Sequence, residues 1–156
     1  MQRPENSEAA QFNSELGLAY LQQGQNERAK AKLLLALQQN ARDSLTVCAF
    51  AYYLDHTGET AAAAKYYAYA LRLDNSSGAV HNNYGVFLCR HGNYQQAIEQ
   101  FLVAAHDLGY LHTAAAYSNA AACAAKIPDR KHAQHYLALA RQRDSIHSFR
   151  VKTLES

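Results

Sequence analysis

A chain of 156 residues is long enough for one domain or one repeat array and too short for a multidomain enzyme. With 49% apolar residues, 18% charged residues, seven Gly and two Pro, the composition excludes a disordered chain and favours a folded, soluble, helical one. Fifteen Lys and Arg against thirteen Asp and Glu leave a formal charge of +2 with no basic run longer than a pair, so neither a nucleic acid nor an anionic membrane is indicated as partner.

The first predicted helix covers 9–23 and the second 26–39, separated at Gly24. The same arrangement returns as 44–57 and 59–73 around Gly58, and as 77–91 and 94–106 around Gly92. These three glycines are 34 residues apart, and the apolar positions move with them. Leu16-Gly17, Tyr20, Ala29, Leu33 and Ala36 become Phe50-Ala51, Leu54, Ala63, Tyr67 and Ala70, then Tyr84-Gly85, Leu88, Ala97, Phe101 and Ala104. A fourth copy, Ala120-Ala121, Ala124, Ala133, Leu137 and Ala140, follows after 36 residues, on helices predicted over 113–126 and 129–142. Two residues are inserted within 107–112, and Pro128 replaces the turn glycine. Asp43-Ser44, Asn75-Ser76-Ser77 and Asp129 are predicted helix caps, and each turn glycine is placed to end a helix in the left-handed conformation. From about 145 a last helix is predicted, with Ile146, Phe149 and Leu154 on one face, as a cap or a truncated repeat.

A large-small pair and an aromatic or Leu on helix A, then Ala, a bulky residue and Ala on helix B, resemble the tetratricopeptide repeat over residues 10 to about 145. The fold expected is all-α, a superhelix of antiparallel helix pairs forming one domain over 1–156. Its repeats would cover 10–43, 44–77, 78–111 and 114–147. Small residues at Gly17, Ala51, Gly85 and Ala121 let helix B approach helix A, as do Ala29, Ala63, Ala97 and Ala133 from the other side. Chance glycine caps in an ordinary bundle would not explain these matching positions.

Such arrays bind peptides or partner helices on the face lined by helix A. The repeat register assigns to that face Ser14, Leu18, Leu21, Leu45, Cys48, Tyr52, Asn82, Asn83, Val86, Ser118, Asn119 and Ala122, with Arg90 and Lys126 at its margin. Asn82, Asn83 and Asn119 are candidates for gripping a partner backbone, because an amide both donates and accepts; bonding to neighbouring helices is the equal alternative. The carboxylate clamp of chaperone-binding tetratricopeptide domains falls on Ser14, Leu18, Ala49, Ala79 and Asn83, where no cation stands. Tyr67 is core by register, whereas Tyr52, Tyr66 or Tyr69 are possible exposed anchors beside Tyr53.

No strong catalytic signature is present, and no cofactor or metal is expected. Among eight histidines, His132 and His135 share a helix face without a third ligand, which reads as surface histidine rather than zinc. Three cysteines at wide spacing, Cys48, Cys89 and Cys123, exclude a disulfide scaffold and allow one internal bridge at most. There is no run of about 20 apolar residues to cross a membrane, and residues 1–7 hold no signal core.

Residues 16–24 (LGLAYLQQG) with 29–33 (AKAKL), 82–89 (NNYGVFLC) and 119–124 (NAAACA) resemble the type IV pilus biogenesis and stability lipoproteins of the PilF/PilW type, the pilotins. That resemblance implies a lipid-anchored adaptor at the periplasmic face of the outer membrane. It would help the secretin pore subunit localise and assemble, with secretin or another pilus protein as partner. The family's signal sequence and lipid-bearing cysteine are missing, Cys48 being the first cysteine and mid-helix, and about six repeats are usual where four are counted. This reads as an engineered or truncated chain. A periplasmic location also implies a Cys89–Cys123 disulfide, with two small buried thiols as the alternative. The other functional readings are a cytoplasmic tetratricopeptide scaffold for a different peptide and, third, a regulatory fragment of a larger enzyme.

Overall fold

The computed structural model describes residues 6–107, 109–127 and 131–142. The predicted last helix from about 145 and the caps at Asp129 lie outside the described residues. Seven helices are bounded: α1 (Ser7–Gln22), α2 (Asn26–Gln39), α3 (Ser44–His56), α4 (Thr60–Leu73), α5 (Gly78–Arg90), α6 (Tyr94–His106) and α7 (Thr113–Ala124). Residues 131–142 are also helical. No described residue is in a strand. The chain divides into two compact units, Met1–Asn75 with α1–α4 and Ser76–Ser156 with α5 onward.

The helix ends follow from the sequence. Asp43 and Ser77 accept from the backbone N–H groups of Thr46 and Val80, which would otherwise lack partners in the first turn. Asn6 does the same for Ala9, so α1 begins two residues before the apolar pattern does. The three hairpin turns are one motif repeated. Gly24, Gly58 and Gly92 have φ of 73°, 89° and 83° and donate to the carbonyls of Leu21, Asp55 and Cys89. The following residues, Gln25, Glu59 and Asn93, donate to Tyr20, Leu54 and Leu88, which closes each helix as a Schellman cap.

Within each hairpin a small residue on the first helix meets a bulky one on the second. Leu33 lies over Gly17 and Phe101 over Gly85, while Ala29, Ala63, Ala97 and Tyr67 are sealed between the helices. In the first unit α3 packs on both α1 and α2, and in the second α7 packs on both α5 and α6. Phe50 meets Tyr66 edge-on, with centroids 5.0 Å apart. Ala104, Ala105, Ala116, Tyr117 and Ala140 form a cluster that joins α6 and α7 to the helical residues 131–142.

The residues inserted before the fourth repeat have a structural use. Asp107 accepts the Gly78 N–H through Oδ2 at 2.9 Å and the Gly109 N–H through Oδ1 at 2.9 Å, so the loop returns to cap the first residue of α5. A Cβ on Gly78 would stand 2.7 Å from Tyr110 Cβ, which is why the position is glycine. Burial against this loop pushes the Tyr110 phenol up from its ordinary pKa. Asp107→Ala is expected to cost about 1–2 kcal/mol, the value of a charged cap, with Asp107→Asn retaining part of it. Urea denaturation followed by circular dichroism measures this, and an unchanged midpoint in the alanine variant would remove the role given to the loop.

Candidate functional site

The side chains assigned to the binding face separate by depth. In the first unit, Ser14, Leu21 and Cys48 are buried, so they lie in the interior of the unit rather than on its surface. Ser14 Oγ is enclosed there with no hydrogen-bond partner. Leu18 is half-buried, and Leu45 and Tyr52 are 49% and 37% exposed. Leu45, Tyr52 and His56 follow one another at i, i+7 and i+11, one face of α3, and the Tyr52 ring stacks on His56 with centroids 6.2 Å apart. This unit therefore presents exposed apolar Leu45 and Tyr52 on one face of α3, with half-buried Leu18 at the Tyr52 position of the preceding repeat on α1.

The other tyrosines serve the interior or its edges. Tyr67 is sealed between α3 and α4, and Tyr53 is buried beside Phe50. Tyr69 donates its hydroxyl to the Ala41 carbonyl at 3.4 Å and carries the Arg72 guanidinium over its ring.

The second unit presents amides and cations instead. Asn119 Nδ2 on α7 donates to Asn82 Oδ1 on α5 at 3.0 Å, so these two side chains brace neighbouring helices. The braced pair still has Asn82 amide donors and the Asn119 carbonyl beyond that bond, which is the inventory a peptide backbone needs. Asn83 is exposed on the same helix as Asn82, Val86 is half-buried, and Ser118 and Ala122 are exposed on α7. Arg90, the last residue of α5, and Lys126, two residues past α7, are exposed as well. Neither α5 nor α7 contains an Asp or Glu. Cys89 and Cys123, each next to last in its helix, form a disulfide with Cα atoms 5.9 Å apart. Together with the Asn82–Asn119 bond it fixes α5 against α7 at two heights.

Among the described residues no three His, Cys, Asp or Glu side chains converge as a metal site would require, and His132 and His135 are both exposed. No helix among the described residues is long and apolar enough to cross a membrane.

The sequence and this architecture have recognisable counterparts. The type IV pilus assembly protein PilF of Pseudomonas aeruginosa is 33% identical over 112 residues, which are 72% of this chain and 44% of PilF. A solved structure of Pseudomonas aeruginosa PilF superposes with a TM-score of 0.79 at 29% identity, over 86% of this chain and 61% of that one. The helix pairs are tetratricopeptide repeats. PilW, a widely conserved type IV pilus biogenesis factor, shares the fold with a TM-score of 0.78 at 24% identity, over 86% of this chain and 62% of its own. An uncharacterised protein of Haemophilus influenzae Rd is 38% identical over 116 residues, 74% of this chain and 65% of that protein. No family model matches the sequence. The chain thus resembles tetratricopeptide proteins of type IV pilus biogenesis in both sequence and structure, and spans less than two thirds of the length of each of these relatives.

Proposed function

We propose that the chain is a non-enzymatic adaptor of type IV pilus biogenesis that helps the outer-membrane secretin localise and assemble. Its work would lie at the periplasmic face of the outer membrane, with the chain holding a segment of the secretin on the faces of its A helices. The observation that carries the reading is the likeness to PilF, which holds in sequence and in fold alike. The faces themselves suit the task. Leu18, Leu45 and Tyr52 in one unit offer apolar anchoring surface, and in the other Asn83 beside the Asn82–Asn119 pair offers backbone-type hydrogen bonding. The interface would be recognised through side chains that are exposed and not needed by the core.

Pull-down of purified type IV pilus secretin tests this directly, using the intact chain and a Tyr52→Ala, Asn83→Ala variant. Both side chains are exposed, so helicity is expected to stay unchanged while secretin capture falls at least tenfold. Equal capture by the two proteins would move the site off these faces. No capture by either would overturn the secretin as partner.

A further inference from the structure

The two A helices of the second unit carry the same column of side chains. Asn83, Val86 and Arg90 of α5 stand at i, i+3 and i+7, and Asn119, Ala122 and Lys126 repeat that spacing on α7 and the turn after it. The Lys126 N–H donates to the Cys123 carbonyl at 3.1 Å, so the turn that carries this lysine continues the helix. An amide, an apolar contact and a cation thus share one face of each helix, in that order. The first unit has no such column. The matching residues there are Glu15, Leu18 and Gln22 in α1 and Ala49, Tyr52 and His56 in α3.

The two columns are tied together at both ends. At the amide end, Asn119 Nδ2 donates to Asn82 Oδ1 at 3.0 Å. At the cationic end, Cys89 beside Arg90 is bridged to Cys123, one turn before Lys126, with Cα atoms 5.9 Å apart. Arg90 and Lys126 therefore stand within about one turn of the same covalent clasp, roughly 5 Å along the helix. The seven residues from Asn83 to Arg90, and from Asn119 to Lys126, rise roughly 10 Å, which three residues of extended chain cover at about 3.3 Å each.

Charge sets what the cationic end takes. Among the described residues of this unit the acids are Glu99, on the B helix α6, and Asp107, whose carboxylate oxygens accept from Gly78 and Gly109 at the opposite end of α5. Past Lys126 the sequence runs on through Asp129, Arg130 and Lys131, which add a net positive charge. We infer that the two columns seat an extended partner segment bearing an Asp or Glu about three residues from the stretch of its backbone that lies against the amides, with Arg90 and Lys126 taking the carboxylate. The inference rests on the A-helix faces being the partner site and adds what the partner must carry. A carboxylate fits because a guanidinium offers it two parallel N–H bonds and the ammonium a further donor. This seat is distinct from the carboxylate clamp of chaperone-binding tetratricopeptide domains, whose positions hold Ser14, Leu18, Ala49, Ala79 and Asn83 here.

Nuclear magnetic resonance titration of the intact, oxidised chain tests the proposal with three acetylated and amidated peptides of about nine Ser, Thr and Val residues, alike except for a central Glu, Gln or Lys. The Glu peptide is expected to bind saturably at low ionic strength, to move the amide signals of α5 and α7, and to bind about tenfold more tightly than the Gln peptide. The Lys peptide is expected not to bind. An Arg90→Gln, Lys126→Gln variant is expected to bind the Glu peptide as weakly as the unaltered chain binds the Gln peptide, while Arg90→Lys keeps most of the preference. Lys126→Gln alone changes an exposed side chain past the end of α7, so it should remove part of the preference with unchanged far-ultraviolet circular dichroism. Equal binding of the Glu and Gln peptides, equal binding of the Glu peptide by the double variant, or no binding of the Glu peptide overturns the proposal. A Gln peptide with a free C-terminus that binds as tightly as the Glu peptide would also overturn it, by assigning the cations to a chain end. Secretin capture is read separately: a chain that prefers Glu but captures no secretin would remove the secretin and leave this seat, and capture without the preference would do the reverse.

Discussion

Phe101→Ala is expected to destabilise the second unit by about 3–5 kcal/mol, the usual loss when a fully buried Phe is truncated. The ring is 1% exposed and lies against Gly85, where a Cβ would stand 2.6 Å from Cε1 and 2.7 Å from Cδ1. Removing the ring leaves a cavity that α5 and α6 cannot close by a small shift, since Ala97 and Ala104 already bring the two helices together. The complementary change tests the same contact from the other side. Gly85→Ala forces a Cβ into the ring and is expected to cost about 1–3 kcal/mol. In a Gly85→Ala, Phe101→Leu chain the smaller side chain should relieve part of that clash, so the double variant loses less than the two single losses added together. Urea denaturation of the unaltered chain, Gly85→Ala, Phe101→Leu and the double variant gives the cycle. If Gly85→Ala were within about 0.5 kcal/mol of the unaltered chain, the close approach would not be what holds this hairpin.

The hairpins themselves were legible from the 34-residue period, because Gly24, Gly58 and Gly92 are spaced by it and the positions of Gly17 and Gly85 record helix contact as missing volume. Boundaries were legible where the cap is a side chain next to the apolar pattern, as with Asp43 and Ser77. Asn6 was not, since it lies beyond the first apolar residue and its capping depends on two further residues of helix. The binding face was legible only as an angle around helix A. Register places Ser14 and Leu21 beside Leu18, but their depth is set by how closely α3 approaches α1, and both are buried. The exposure of Phe12 on α1, 63%, was hidden for the converse reason. Phe12 occupies a repeat position that reads as core, and its exposure depends on which helices neighbour it, which no local pattern encodes. The use of Asp107 was equally out of reach, because its partner Gly78 is 29 residues away.

Reduction of the Cys89–Cys123 bridge is expected to lower the stability of the second unit by about 3–4 kcal/mol and its Tm by roughly 15–25 °C. The magnitude follows from the loop closed: a cross-link across 34 residues removes unfolded-chain freedom between the values for loops of about 15 and 100 residues. The bridge lies wholly within this unit, and Cys48, the third cysteine, is a free thiol on α3 of the other. With α5 and α7 joined covalently near their ends, separating the two repeats requires unfolding at least one of them, whereas after reduction the Asn119–Asn82 bond still ties these helices but without a covalent link. Three measurements bear on this. Thiol titration of the unfolded, unreduced chain is expected to count one reactive cysteine, and a count of three would mean that no bridge forms. Dithiothreitol should lower the Tm of the unaltered chain and leave that of a Cys89→Ala, Cys123→Ala variant where it was. Should the secretin reading hold, reduction would also weaken capture through Asn83 and the Asn82–Asn119 pair, since the amides lose the fixed spacing of α5 and α7 on which a backbone-gripping row depends. Capture unaffected by dithiothreitol, at a temperature where the reduced chain stays folded, would show that the amide face acts without the clasp.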